Sequence, residues 1–137
     1  MIVVDTHVLV WLLADDARLG EEARAAISAA AMNGGVLVSA ITPWEIAMLA
    51  HKGRLMLGRE TGAWIDAALA APGIRLAPIE PAVAVDSVRL PGVLHADPAD
   101  RLIIATARHA SGALLTADRA ILAYGEQGHV GVMNASR

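Results

Sequence analysis

Four carboxylates recur in one kind of setting along this chain: Asp5, Glu45, Asp100 and Asp118. Asp5 follows the apolar run Ile2–Val3–Val4, and Asp118 follows Ala113–Leu114–Leu115 after Thr116 and Ala117. Glu45 and Asp100 each fall in the first turn of a helix that follows a strand or loop. Carboxylates brought together repel one another unless cations sit between them. Hard oxygen ligands, in a chain with no cysteine, call for Mg²⁺ or Mn²⁺. Such ions lower the pKa of water and stabilise charge on the oxygens of a phosphodiester under attack. No Ser–His–Asp arrangement and no glycine-rich phosphate loop offers a competing chemistry.

Each acid also has a structural explanation. Thr42–Pro43–Trp44–Glu45 reads as a capping box, with Thr42 as cap, Pro43 at the first helical position and Glu45 three after the cap. Asp97–Pro98–Ala99–Asp100 repeats that pattern, and Asp97 reads as the cap of its helix. Each such acid stabilises a helix start by roughly 0.5–1 kcal/mol. Asp118 fits a turn. Asp5 is the exception, because a carboxylate offers the strand nothing there. Thr6 reads as the cap of the helix that follows.

These residues need elements that return to one edge. Short apolar runs at Ile2–Val4, Val36–Val38 and Ala113–Leu115 read as buried strands. A weaker strand spans Ile74 to Ile79, and a last one Val130 to Met133. Helical patterns fall between them, closed by Gly34–Gly35, Gly53, Pro72–Gly73 and Gly112. This alternation predicts an α/β domain with a mostly parallel sheet, in which ligands sit beyond the carboxyl ends of the strands. A length of 137 residues suits one domain, residues 1–137. With 55% hydrophobic residues and no Phe, its core is aliphatic. No apolar run reaches membrane-span length, and the first residues lack the pattern of a signal peptide. Together with the lack of cysteine, this accords with a cytoplasmic protein without a membrane partner.

The acids lie in stretches whose order resembles a known family. Asp5–Thr6–His7 follows the first strand. Ser39 to Ile46 reads SAITPWEI, His95 to Ala107 reads HADPADRLIIATA, and Leu115 to Gly125 reads LTADRAILAYG. The chain is similar in these, over essentially its whole length, to PIN-domain ribonucleases of the kind that serve as VapC toxins in bacterial type II toxin–antitoxin pairs. The resemblance implies a three-layer α/β/α PIN-like fold and a Mg²⁺- or Mn²⁺-dependent endoribonuclease. It carries Asp5, Glu45, Asp100 and Asp118 over as catalytic acids, with Asp5, Asp100 and Asp118 as metal ligands. Thr6, Asp97 and Thr116 support them, Thr116 matching a hydroxyl that often backs the last acid. Position 99, often aromatic in similar proteins, is Ala here.

The resemblance also implies an RNA substrate, an antitoxin protein and a homodimer. A net charge of −3 leaves no electrostatic footprint for RNA, although two divalent ions would reverse its sign. Arg101 and His95 are the RNA contacts next to the third acid, and Arg101 reads equally as an ion-pair partner of Asp100. His51, Lys52, Arg54, Arg59 and Arg89 are further cations. His7 reads as a ligand, an RNA contact or a hydrogen-bonded structural group. Trp11, Trp44 and Trp64 fall at helical spacing among apolar neighbours and read as core or interface packing. Met48, Leu49, Leu55, Met56, Leu57 and Trp64 exceed what one helix face needs and predict an antitoxin groove.

Other readings are weaker. A phosphoacceptor receiver domain needs a lysine late in the chain, and the only one is Lys52. An aspartyl phosphatase needs a second Asp at position 7, which is His. A PIN-like nuclease in RNA processing outside a toxin pair, and a non-catalytic PIN-like interaction module, are the remaining alternatives. A degenerate module would lose acids, and this chain keeps all four.

Overall fold

β-Branched and leucine-rich runs of three or four residues build the centre of the molecule. The computed structural model describes residues 1–137. Its strands are β1 (Ile2–Val4), β2 (Val36–Ser39), β3 (Ile74–Ala77), β4 (Ala113–Thr116) and β5 (Val132–Asn134). They form one sheet in the order β3-β2-β1-β4-β5, and every neighbouring pair is parallel. Side chains alternate along a strand, so consecutive core residues serve opposite faces. Val4, Val36 and Val38 pack with Val8, Leu9, Ile27, Ile46 and Ala68. Val3, Leu37 and Leu114 pack with Ile103, Ile104, Ile121 and Tyr124. The result is three layers, with a sheet apolar on both sides.

The helices follow the sequence reading with shifts at their ends. They are α1 (Thr6–Leu13), α2 (Glu21–Ala31), α3 (Ile41–His51), α4 (Thr61–Leu69), α5 (Pro81–Val88), α6 (Pro98–Ala110) and α7 (Arg119–Glu126). The first core cluster draws on α1, α2, α3 and α4, the second on α6 and α7. None is long and apolar enough to cross a membrane.

The strand order sets the place for a site. From β1 the chain builds outward through β2 to β3, then returns to the other side of β1 for β4 and β5. The order therefore reverses between β1 and β4. Such a switch point leaves a crevice beyond the carboxyl ends of the two strands. Val4 pairs with Leu115 there, and the Asp5 amide continues the ladder by donating to the Leu115 carbonyl at 3.0 Å.

Candidate active site

Asp5 is the first residue past β1 and is buried, 3% exposed. The sequence reading left it without a structural use and gave the cap to Thr6. The structure reverses this. Asp5 caps α1, its Oδ1 accepting from the Thr6 amide at 2.8 Å. Its Oδ2 accepts from the Thr116 hydroxyl at 2.7 Å. That hydroxyl in turn accepts from the Asp118 amide at 3.0 Å, so Thr116 ties the ends of β1 and β4 together. Asp118 caps α7, with Oδ1 accepting from the Ile121 amide at 3.1 Å.

Glu45 is not a capping-box residue. Helix α3 begins at Ile41, with Ala40 in the cap position and no side-chain cap. The Ser39 hydroxyl accepts from the Ile41 amide at 3.3 Å and takes part of the cap's work. Pro43 lacks an N–H, which costs nothing among the unpaired amides of a first turn. Thr42, freed from capping, is fully buried and meets the Thr6 hydroxyl at 3.1 Å. This contact locks α1 against α3 and sets Asp5 and Glu45 on the same cleft. Asp97 behaves as expected, its Oδ1 accepting from the Asp100 amide at 3.0 Å at the start of α6.

A cleft of about 430 Å³ opens over these groups, lined by Asp5, Thr6, Glu45, Asp97, Asp100 and Asp118 among others. Carboxylate oxygens of Glu45, Asp97 and Asp100 lie within 4.8 Å of one another. Asp97, read mainly as a cap, thus belongs to the tightest group of acids. The crowding shows in their acidity. Burial, then the charges of Asp5, Asp97, Asp118 and Glu45, push the Asp100 carboxyl up to about 8. Burial also raises the Glu45 carboxyl, the Thr6 hydroxyl opposes the rise, and Asp5 and Asp97 add to it. Five acids on one cleft with two of them driven toward the neutral form is the state of a site built for positive charge. Oxygen donors of this kind suit a hard divalent cation, and the residues fit one.

The histidines are half structural. His7 Nε2 accepts from the Ala117 amide at 3.0 Å. Its proton therefore sits on Nδ1, 3.7 Å from Asp5 Oδ2. His95 stands over the third acid, with Nε2 3.3 Å from Asp100 Oδ2 and Nδ1 accepting from the Asp97 amide at 3.3 Å. Arg101 makes no ion pair with Asp100. Its guanidinium donates to the carbonyls of Ser87 at 2.8 Å, Leu94 at 3.4 Å and His95 at 3.3 Å. It fastens the loop that carries His95. Arg54, from the sequence's group of cations, does line the cleft.

Two features escaped the sequence reading. Arg18 also lines the cleft, held by Asp16 at 2.7 Å and stacked 5.0 Å from the centre of the Trp11 ring. The signal was the Asp16-x-Arg18 turn directly after the first helix. Trp44 is not packed in a core but 58% exposed. The proposed antitoxin surface divides: Leu55, Leu57 and Trp64 pack partly against the first core cluster, while Met56 is 90% exposed.

A family profile described as PIN domain matches residues 2–127. This chain belongs to the PIN-domain family. Ribonuclease VapC22 of Mycobacterium tuberculosis is 37% identical over 118 residues, covering 86% of this chain and 87% of that protein. The PIN fold is also seen in solved structures. VapBC2 from Rickettsia felis bound to a DNA fragment from its promoter aligns with a TM-score of 0.69 at 14% identity, over 98% of both chains. FitAcB from Neisseria gonorrhoeae aligns with a TM-score of 0.65 at 24% identity, again over 98% of both. At these identities the likeness is one of fold.

Proposed function

We propose that this PIN domain is a divalent-cation-dependent endoribonuclease and the toxin of a type II toxin–antitoxin pair. The observation that carries the reading is the convergence of Asp5, Glu45, Asp97, Asp100 and Asp118 on one cleft at the sheet's switch point. The likeness to a ribonuclease at 37% identity supports the substrate class. Asp5, Asp100 and Asp118 would hold Mg²⁺ or Mn²⁺, and Asp97 and Glu45, whose carboxylate oxygens lie within 4.8 Å of each other and of Asp100, stand beside them. A divalent cation supplies a lowered water pKa and a counter-charge for the phosphate oxygens.

The chain's own groups do the rest. Thr116 and the Thr6 amide fix both oxygens of Asp5, so that the ligand does not swing. Glu45 has a raised affinity for a proton, which suits a carboxylate oxygen that takes one from the attacking water. His95, its imidazole against Asp100, is the substrate contact beside the scissile phosphate, and Arg101 holds its loop. Arg18 and Arg54 add positive charge at the rim for neighbouring phosphates.

The partner in this reading is an antitoxin. Solved relatives of the same fold include a toxin–antitoxin complex from Klebsiella pneumoniae, and exposed Met56, next in the chain to the cleft-lining Leu55, offers an apolar anchor for an amphipathic segment. A homodimer and a cytoplasmic site of action accord with this role.

The test is digestion of total RNA by the purified protein. Discrete cuts are expected in Mg²⁺ or Mn²⁺, none in EDTA, and recovery when the ion is returned in excess. Undiminished cutting in EDTA refutes the reading.

A further inference from the structure

Trp44 is an exposed tryptophan in a chain with three tryptophans, one tyrosine and no phenylalanine. It lies on α3 immediately before Glu45, and with Ile41, Met48, Pro98 and Ala99 it lines a hollow of about 260 Å³. The hollow's remaining two residues are Glu45 and Asp97, both of which also line the acid cleft. Hollow and cleft therefore meet at these two acids. Ala99 offers only a methyl group to the hollow and is itself buried.

We propose that Trp44 is the stacking platform for an unpaired nucleobase next to the scissile phosphate, and so a positioning residue. This rests on the endoribonuclease reading. A phosphodiester held at the acids has a base on either side within one nucleotide's reach. One of those bases needs an apolar slot with a flat aromatic wall; Trp11 in the cleft already carries Arg18 over its ring, and Trp44 lines the hollow that shares Glu45 and Asp97 with the cleft. Single-stranded RNA is recognised by splayed bases stacked on aromatic side chains. Stacking tolerates any base, because every base has a π-face. A chain whose net charge is −3 has little diffuse attraction for RNA, so a local contact of this kind carries more of the binding.

The probe is a 20-mer oligoribonucleotide spanning a cut mapped in the total-RNA digest. Trp44→Ala raises its KM roughly ten- to a hundredfold, the size of one lost stack, with a smaller effect on kcat. Trp44→Phe stays within about threefold of the parent. The decisive arm removes the partner instead of the platform. Replacing one of the two bases that flank the cut by an abasic residue costs the parent protein as much as Trp44→Ala does, and costs the Trp44→Ala protein little more. Equal KM for Trp44→Ala and parent, or additive losses in that cycle, overturns the proposal while leaving the nuclease reading intact. A fall in sedimentation coefficient on Trp44→Ala identifies a second copy of the chain as the occupant and also overturns it. A parent protein that cuts no RNA in Mn²⁺ removes both the reading and the proposal.

Discussion

Asp100→Asn melts above the parent protein at pH 8 in EDTA and loses at least about a hundredfold in RNA cleavage. Both effects come from one charge. Asp100 makes no cap and accepts no backbone amide; its own amide is received by Asp97, which Asn preserves. Its side chain is 18% exposed and stands among four other acids, so that its carboxyl is pushed up to about 8. In the unfolded chain it returns to an ordinary value near 3.8. The folded state thus holds a proton that the unfolded state has released. Its contribution to stability is complete below about pH 4, shrinks as pH rises, and is gone above about pH 8. The metal-free parent therefore loses melting temperature from pH 5 to pH 9, and Glu45 acts in the same direction. Asn cannot ionise, so the variant's profile is flatter and the gap between the two proteins widens with pH. Saturating Mn²⁺ reverses the ranking. At a hundred times its dissociation constant, a ligand of the folded state adds about 2.7 kcal/mol, on the order of 10 °C for a domain of this size. The variant forfeits most of that gain. Loss of a group that merely supports a metal ligand costs about 10- to 100-fold, and a ligand itself costs more. A variant that melts below the parent at pH 8 in EDTA, or keeps the Mn²⁺ shift, contradicts the assignment.

Asp5→Asn loses cleavage as severely but behaves differently without metal. Asp5 is both ligand and scaffold. Asn keeps an oxygen for the Thr6 amide, but the oxygen that receives the Thr116 hydroxyl becomes an N–H donor. Thr116 already accepts from the Asp118 amide, so its own hydrogen is left without the carboxylate. A charge-assisted bond of this kind is worth roughly 1.5–3 kcal/mol, and relief of repulsion among the acids offsets part of it. The expected result is a metal-free protein destabilised by about 1–2 kcal/mol, with no Mn²⁺ shift and no activity. The measurement is thermal melting in EDTA and in excess Mn²⁺ beside the cleavage assay. An Asp5→Asn protein that keeps its metal-induced shift and its cleavage makes Asp5 scaffold alone.

Strand and helix positions were largely legible because each strand is a short β-branched or leucine run bounded by glycine, proline or an acid. The four acids proposed as catalytic were legible as a set, since each ends a strand or opens the helix after one, although three of them have a structural explanation when taken singly. What the sequence misassigned was local capping. Thr6 and Thr42 look like caps by residue type, yet both hydroxyls are used on each other across 36 residues, a pairing no local pattern contains. Ser39 does part of the capping that Thr42 was given, and Asp5 does that of Thr6. Glu45 was thereby given a structural excuse it does not need. Trp44 reads as core or interface packing from its apolar neighbours; its exposure removes the core half, because α3 carries apolar residues on more than one side and burial follows which side meets the sheet. Arg101 looked like a cation beside an acid. The backbone carbonyls of Ser87 at the end of α5 and of Leu94 and His95 in the following loop engage it instead.

We propose that the acids at the β1–β4 switch point hold the divalent cation on which RNA cleavage depends. Anomalous scattering from a crystal grown with Mn²⁺ tests it most directly, at a concentration that restores cleavage after EDTA. A manganese peak is expected within bonding distance of Asp100 and of Asp5 or Asp118. A map with no peak among these carboxylates, from protein that cleaves RNA at that same concentration, contradicts it.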